Sequence, residues 1–459
     1  MMPKLLRLLV LAATVGLGTP AAAQEAGPLV RAPAGAVRGE AGDGVSVFRG
    51  LPYAQPPVGR LRWRPPVELR PWTGTRDGTR FGPVCVQPGG RPGSIYYEPL
   101  PAMSEDCLTL NVWAPADARN APVFVWIHGG SLVSGSGRQP MYDGAAMARR
   151  GILVVSINYR LGILGYLSHP GLSAESRQGV SGNYGLLDQI AALRWINRNI
   201  AAFGGNPGNV TIAGESAGAL SVMYLMAAPE ARGLFARAVM QSAYMVSAPE
   251  LRSSRYGGPS AEQTGAWLME QLGAPDLASL RASGAEALVA GAARTGYFPF
   301  LTVDGRTVPD QLVTIFDQGR QARVPVIAGF NSGEIRSLRF LAPPPPADAA
   351  TYEAAIRERY GDLAGEYLRL YPAGDLAETV LLPPRDALYG WTAERLARSQ
   401  TAAGAPGYYY YFDHSYPAAD ALGLRAFHAA EIPYVFGTTG TTPDSWPRVP
   451  DTPQERALS

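Results

Sequence analysis

The most telling residues are Gly214-Glu215-Ser216-Ala217-Gly218. They follow the strand-like run Val210 to Ala213 and lead into a helical stretch, Ala219 to Met226, that ends before Pro229. A serine on a turn that reverses from strand to helix in a few residues is the arrangement of an exposed nucleophile, and the glycines on either side let strand and helix approach. Upstream, Val123 to Ile127 ends in His128-Gly129-Gly130-Ser131, followed by Gly135 and Gly137, a glycine-rich loop that can aim backbone N–H groups at developing negative charge. Such donors are worth about 3–4 kcal/mol each in acyl transfer.

A serine hydroxyl needs a base titrating near neutral pH. The chain has four histidines. His128 and His169 precede or flank the elbow too early, because with this kind of elbow the chain order is serine, acid, histidine. His414 and His428 remain open on chemistry alone, with position favouring His428. For the acid, Glu334 follows the strand-like run ending in Phe330 through Asn331-Ser332-Gly333; Asp304 and Asp310 are the alternatives. A neutral base implies activity that falls below about pH 6–7. Glu215, next to the serine, either tunes the histidine's charge or is a buried, paired carboxylate.

These residues need a scaffold. Short apolar runs at Val123 to Ile127, Ile152 to Ile157, Val210 to Ala213, Val324 to Gly329 and Tyr408 to Phe412 read as buried strands. A helix is predicted from about Leu186 to Phe203, stopped by Gly204-Gly205. Strand and helix in alternation imply an α/β fold with a mostly parallel sheet covered on both faces. Val37 to Phe48, with Gly42-Asp43-Gly44 at its centre, reads as a hairpin that starts the sheet antiparallel. Pro343 to Pro346 reads as a surface loop.

The 459 residues are 46% hydrophobic and 17% charged, enough to bury a large core. Lys4 and Arg7 precede an apolar run from Leu8 to Leu17, and Ala21-Ala22-Ala23 follows, so residues 1–23 are expected to be a signal peptide cleaved near Ala23. Residues 24–459 then form one catalytic domain, secreted or periplasmic. Losing Lys4 and Arg7 takes the formal charge from +2 to zero, which does not suggest a nucleic-acid or acidic-membrane partner, and no apolar run after Gln24 is long enough to span a membrane. Lys4 is the only lysine, so chemistries that need an amine, such as Schiff bases or Ser-Lys dyads, are excluded from the mature chain. Cys85 and Cys107 suit a disulfide in an exported chain. No cofactor is expected, and no HExxH or Cys/His cluster offers a metal site.

At this point the chain resembles the type B carboxylesterases, the cholinesterase-like group of α/β-hydrolases. Ser104 to Val112 is similar to that family's EDCLxLN signature, Ala213 to Ala219 to its GESAG signature and Phe48 to Ala54 to its FxGIPYA opening. Asn158 to Gly162, Asn183 to Gln189, Phe203 to Pro207 and Gln241-Ser242 match in the same order, over about residues 28 to 437. The resemblance implies the α/β-hydrolase fold, a mostly parallel mixed sheet flanked by helices, with helical insertions forming a cap over the pocket. It implies a Ser216-Glu334-His428 triad, which decides between His414 and His428. Oxyanion donors at the N–H groups of Gly130, Ser131 and Ala217, and a disulfide between Cys85 and Cys107, are implied in the same way. The substrate would be a small-molecule ester. Ser131 departs from the family's usual third glycine, and the family usually continues past the position of Ser459. Pocket walls are expected around Tyr96-Tyr97, between Glu334 and His428, and from Pro249 to Phe300. A non-catalytic adhesion module of this fold would typically lack the nucleophile, whereas acyl transfer or amide hydrolysis could use the same triad.

Overall fold

A computed structural model describes residues 27–459; the expected signal segment, 1–23, lies outside the described residues. The N-terminal strands β1 (Leu29–Ala32) and β2 (Gly35–Arg38) pair antiparallel. The main sheet takes in β3 (Glu40–Gly42) and β4 (Val45–Pro52), while β5 (Thr75–Asp77) joins β2 in the small one. Then come β6 (Thr109–Pro115), β7 (Ala121–Ile127), β8 (Leu153–Ile157), β9 (Gly205–Glu215), β10 (Arg237–Gln241), β11 (Val326–Asn331) and β12 (Gly407–Phe412).

The nine main strands lie in the order β12-β11-β10-β9-β7-β8-β6-β4-β3. The six from β12 to β8 are parallel, and the β6, β4 and β3 end is antiparallel. This is the mixed, mostly parallel sheet expected. The β3–β4 hairpin turns at Asp43-Gly44 as predicted, although Val37 belongs to β2 and the smaller sheet.

The apolar runs are continuous because both faces of the sheet are buried. Successive side chains point to opposite faces. In β7, Val123, Val125 and Ile127 join one buried cluster and Trp126 joins the other. The helix Tyr184–Asn199 lays Leu186, Ile190, Leu193 and Ile196 on the first face. A short 3-10 turn, Ile200–Phe203, continues it and ends at Gly204, whose φ of 87° is the left-handed conformation that glycine adopts without strain. Strand β9 begins at Gly205, five residues before the apolar run that marked it, because pairing with β7 restarts at Ala121↔Gly205 across a register shift. Helices are inserted between β10 and β11 (Ala261–Gln271 among them) and between β11 and β12 (Ala349–Tyr360 and Trp391–Ala402 among them).

Cys85 and Cys107, both buried, form a disulfide. Closing a loop of this length stabilises the fold by about 3 kcal/mol through the unfolded state. Replacing both cysteines by alanine is therefore expected to lower the urea unfolding free energy by about that amount. An unchanged unfolding midpoint would show that the crosslink restrains nothing.

Candidate active site

The parallel strands bring their carboxyl ends to one edge of the sheet, where open α/β sheets place their sites. Strand β9 ends at Glu215, and Ser216 follows with φ 55° and ψ −121°, a conformation costly for a residue with a side chain. The helix Ala217–Ala227 starts at once. The turn is possible because the flanking residues lack side chains: a Cβ on Gly214 would come within 2.5 Å of the Gly218 backbone, and one on Gly218 within 2.0 Å of the Ile127 carbonyl. The Ser216 N–H donates to the Gln241 carbonyl at 2.9 Å, tying the elbow to the neighbouring strand. Ser216 retains 9% of its surface.

Strand β7 ends in the glycine-rich loop, which reaches the elbow: a Cβ on Gly129 would lie 3.3 Å from that of Ser216. Gly130, Ser131 and Leu132 have φ of 101°, 58° and 61°, so the loop is tightly coiled even where glycine is absent. Among the described residues, no protein group accepts a hydrogen bond from the N–H of Gly130, Ser131 or Ala217. His128 is buried, stacked on Tyr159 at 4.4 Å, and its Nδ1 lies 2.9 Å from the Gly129 carbonyl. Burial pushes its pKa down to about 4, so it stays neutral as a packing residue.

Glu334 opens the short helix Glu334–Ser337 after β11 and is completely buried. One carboxylate oxygen accepts from Ser242 Oγ at 2.6 Å and from the Asn331 N–H at 2.7 Å. The other lies 2.5 Å from His428 Nδ1. The remaining histidines go elsewhere. His414 Nε2 is 2.9 Å from Glu455, and His169 Nδ1 caps a helix by accepting from the Gly171 N–H. The structure thus brings Ser216, Glu334, His428 and the glycine-rich loop to one place, and leaves His414 outside it. Asp304 accepts from the N–H groups of Arg306 and Val308 in its own loop and from Asn183 Nδ2 at 3.0 Å, and Asp310 pairs with Arg320 at 2.6 Å.

His428 Nε2 does not hydrogen-bond to Ser216. It lies 3.0 Å from Glu215 Oε1, an ion-pair contact that is not aligned as a hydrogen bond. Burial alone would lower the His428 pKa, but the Glu215 and Glu334 charges and their contacts outweigh it and hold it well above the ordinary 6.5. Glu431, buried nearby, has its pKa pushed up to about 8 by burial and by those same two carboxylates. Two neighbouring carboxylate charges disfavour a third in a buried place, so Glu431 keeps a proton near neutrality.

Three supporting residues carried no role in the sequence reading. Ser242 stands at the end of β10 with φ 52°; Asn331 Nδ2 bonds the Phe427 carbonyl at 2.9 Å and Glu431 at 2.5 Å. Their signal was position, since Ser242 and Asn331 end or directly follow adjacent parallel strands. Of the expected pocket walls, Tyr96 reaches the His428 carbonyl at 2.8 Å, and the Tyr389 ring lies 5.4 Å from the imidazole. Among the described residues no cluster of histidine, cysteine and acidic side chains could hold a metal, and no helix is long and apolar enough to cross a membrane.

Residues 26–459 match the carboxylesterase family. The chain is 40% identical over 442 residues to the fumonisin B1 esterase of Sphingopyxis macrogoltabida, covering 92% of this chain and 77% of that one. It is 36% identical over 418 residues to the para-nitrobenzyl esterase of Bacillus subtilis, covering 88% and 81%. Among solved structures, a PNB esterase superposes with a TM-score of 0.78 at 34% identity, covering 94% of this chain and 87% of the other. A carboxylesterase of Geobacillus stearothermophilus gives the same score and identity over 93% and 87%. With the α/β-hydrolase sheet and matches over nearly its whole described length, the chain belongs to the carboxylesterase family and is a carboxylic ester hydrolase.

Proposed function

We propose that this esterase works through an acyl-enzyme on Ser216, with His428 as general base and Glu334 as its orienting acid. The observation that carries the reading is the buried Glu334 carboxylate on His428 Nδ1, which leaves Nε2 facing the elbow. Ser216 Oγ attacks the ester carbonyl and passes its proton to Nε2; the N–H groups of Gly130, Ser131 and Ala217 take the oxyanion. His428 then protonates the leaving alcohol. Water attacks the acyl carbon, gives a proton to His428, and the acid leaves as that proton returns to Ser216. The Cys85–Cys107 disulfide supports export to an oxidising compartment. The name of one relative, the para-nitrobenzyl esterase, supports arylalkyl esters as first substrates.

The pH profile tests the base. A neutral imidazole is required, so activity is lost as pH falls through the His428 pKa, and the raised value moves that loss above the ordinary 6.5. This revises upward the limit expected from an unperturbed histidine. Glu215→Gln removes one of the two charges that raise it, so its acid limb in kcat/KM should move to lower pH, leaving the variant a larger share of its own plateau at pH 6 than the wild type. An acid limb that stays in place would mean that Glu215 does not act on His428, and a flat profile from pH 5 to 9 would remove His428 as the base.

A further inference from the structure

His428 sits in a stretch of turns with a single isolated bridge, Gly333↔Phe427, and the residues around it are bent: Arg425 and Ala429 have φ of 52° and 73°. No helix or strand ladder holds the base in place. Its backbone is held by two hydroxyls. The His428 N–H donates to Ser337 Oγ at 3.3 Å, and Tyr96 Oη lies 2.8 Å from the His428 carbonyl and 2.7 Å from Ser337 Oγ. A carbonyl only accepts, so the phenol proton goes to it and Ser337 closes the ring by donating to Oη.

Tyr96 comes from a distant part of the chain. Its loop is closed by the Cys85–Cys107 disulfide, and Ser445 Oγ lies within hydrogen-bond distance of the carbonyls on either side of it, 2.8 Å from Ile95 and 2.9 Å from Tyr97. The Trp446 ring meets the Tyr96 ring edge to face. Tyr96 keeps 36% of its surface exposed, yet its hydroxyl turns inward, where burial raises its pKa well above 10 and preserves the proton it donates.

We propose that Tyr96 is a positioning residue for ester hydrolysis, its hydroxyl and that of Ser337 clasping both backbone groups of His428 so that the imidazole faces the elbow. This rests on the reading of His428 as the base. The disulfide-closed loop thereby becomes part of what aligns the reaction. Displacing a reacting group by about 1 Å can cost on the order of a hundredfold in rate.

The test measures kcat and KM for p-nitrophenyl butyrate, with thermal midpoints, for the full chain and for Tyr96→Phe, Ser337→Ala, their double variant and His428→Ala. The expected result is a kcat at least tenfold lower in both single variants, KM within twofold of wild type, and a double variant no worse than the more damaged single one, because the ring acts as a unit. Wild-type kcat in Tyr96→Phe overturns the proposal. So does a loss carried by KM, which would make Tyr96 a pocket wall, or a double variant whose losses multiply. Should Tyr96→Phe fail to fold, Ser337→Ala decides on the same criterion. Activity retained in His428→Ala would sink the base itself, whereas an inactive His428→Ala beside a fully active Tyr96→Phe sinks only the clasp.

Discussion

Replacing Ser216 by alanine is expected to lower kcat for p-nitrophenyl esters by on the order of 10⁵- to 10⁶-fold, as removal of a nucleophile does in serine hydrolases. The fold should not notice. Among the described residues Ser216 Oγ donates no hydrogen bond, and alanine takes over the same φ of 55° without adding bulk, so the thermal midpoint should stay within a degree or two of wild type. A residual rate above background is also expected, because the donors at Gly130, Ser131 and Ala217 and the binding surface remain. Measuring acetyl through decanoyl esters alongside gives the acyl length that the pocket prefers. Full activity in Ser216→Ala would end the acyl-enzyme reading. Release of acyl product to an added alcohol, rather than to water, would assign the triad to acyl transfer.

The second large effect is on stability. Arg160 and Asp188 form a two-pronged ion pair at 2.7 and 2.8 Å with side chains only 4% and 0% exposed. The same carboxylate accepts the Arg160 N–H at 3.1 Å, so the chain after β8 is pinned to the helix Tyr184–Asn199. Burial works to lower the Arg160 pKa, but the Asp188 charge and hydrogen bonds outweigh it and raise it, which keeps the guanidinium charged. Asp188→Ala would leave that charge buried and unpaired, at a cost of about 3–5 kcal/mol, a large fraction of the total for most domains. Replacing both by apolar residues of similar volume should recover most of the loss. Urea unfolding decides: a single-variant cost below about 1 kcal/mol would mean that water or a rearranged side chain reaches the site. Activity should fall with stability, because the adjacent Tyr159 holds the His128 carbonyl at 2.8 Å and with it the glycine-rich loop.

What the sequence made legible was whatever is dictated locally. The elbow could be read because one turn, two glycines and a serine must stand together, and the structure shows that neither glycine tolerates a Cβ. Buried strands could be read because both faces of the sheet are covered. The base could not be read from chemistry, since His414 follows a strand and looks equally suited; only the folded chain turns it toward Glu455. Ser242, Asn331 and Glu431 were silent for a related reason. Their roles exist only where the ends of β10 and β11 meet the loop around His428, and no short motif records that meeting. The Glu215 contact with His428 could be foreseen as one of two alternatives, but its effect on the pKa depends on burial that only packing reveals.

The reach of the His428–Glu334 contact, 94 positions along the chain, bears on how the enzyme is made. The elbow, the glycine-rich loop and the disulfide-forming cysteines all precede Glu334, so a growing polypeptide carries the proposed nucleophile long before the proposed base, while the edge strand β12 is made only shortly before His428. Hydrolytic competence then arrives late, after most of the chain has been synthesised. An unfinished chain would meet esters in its own compartment without cleaving them.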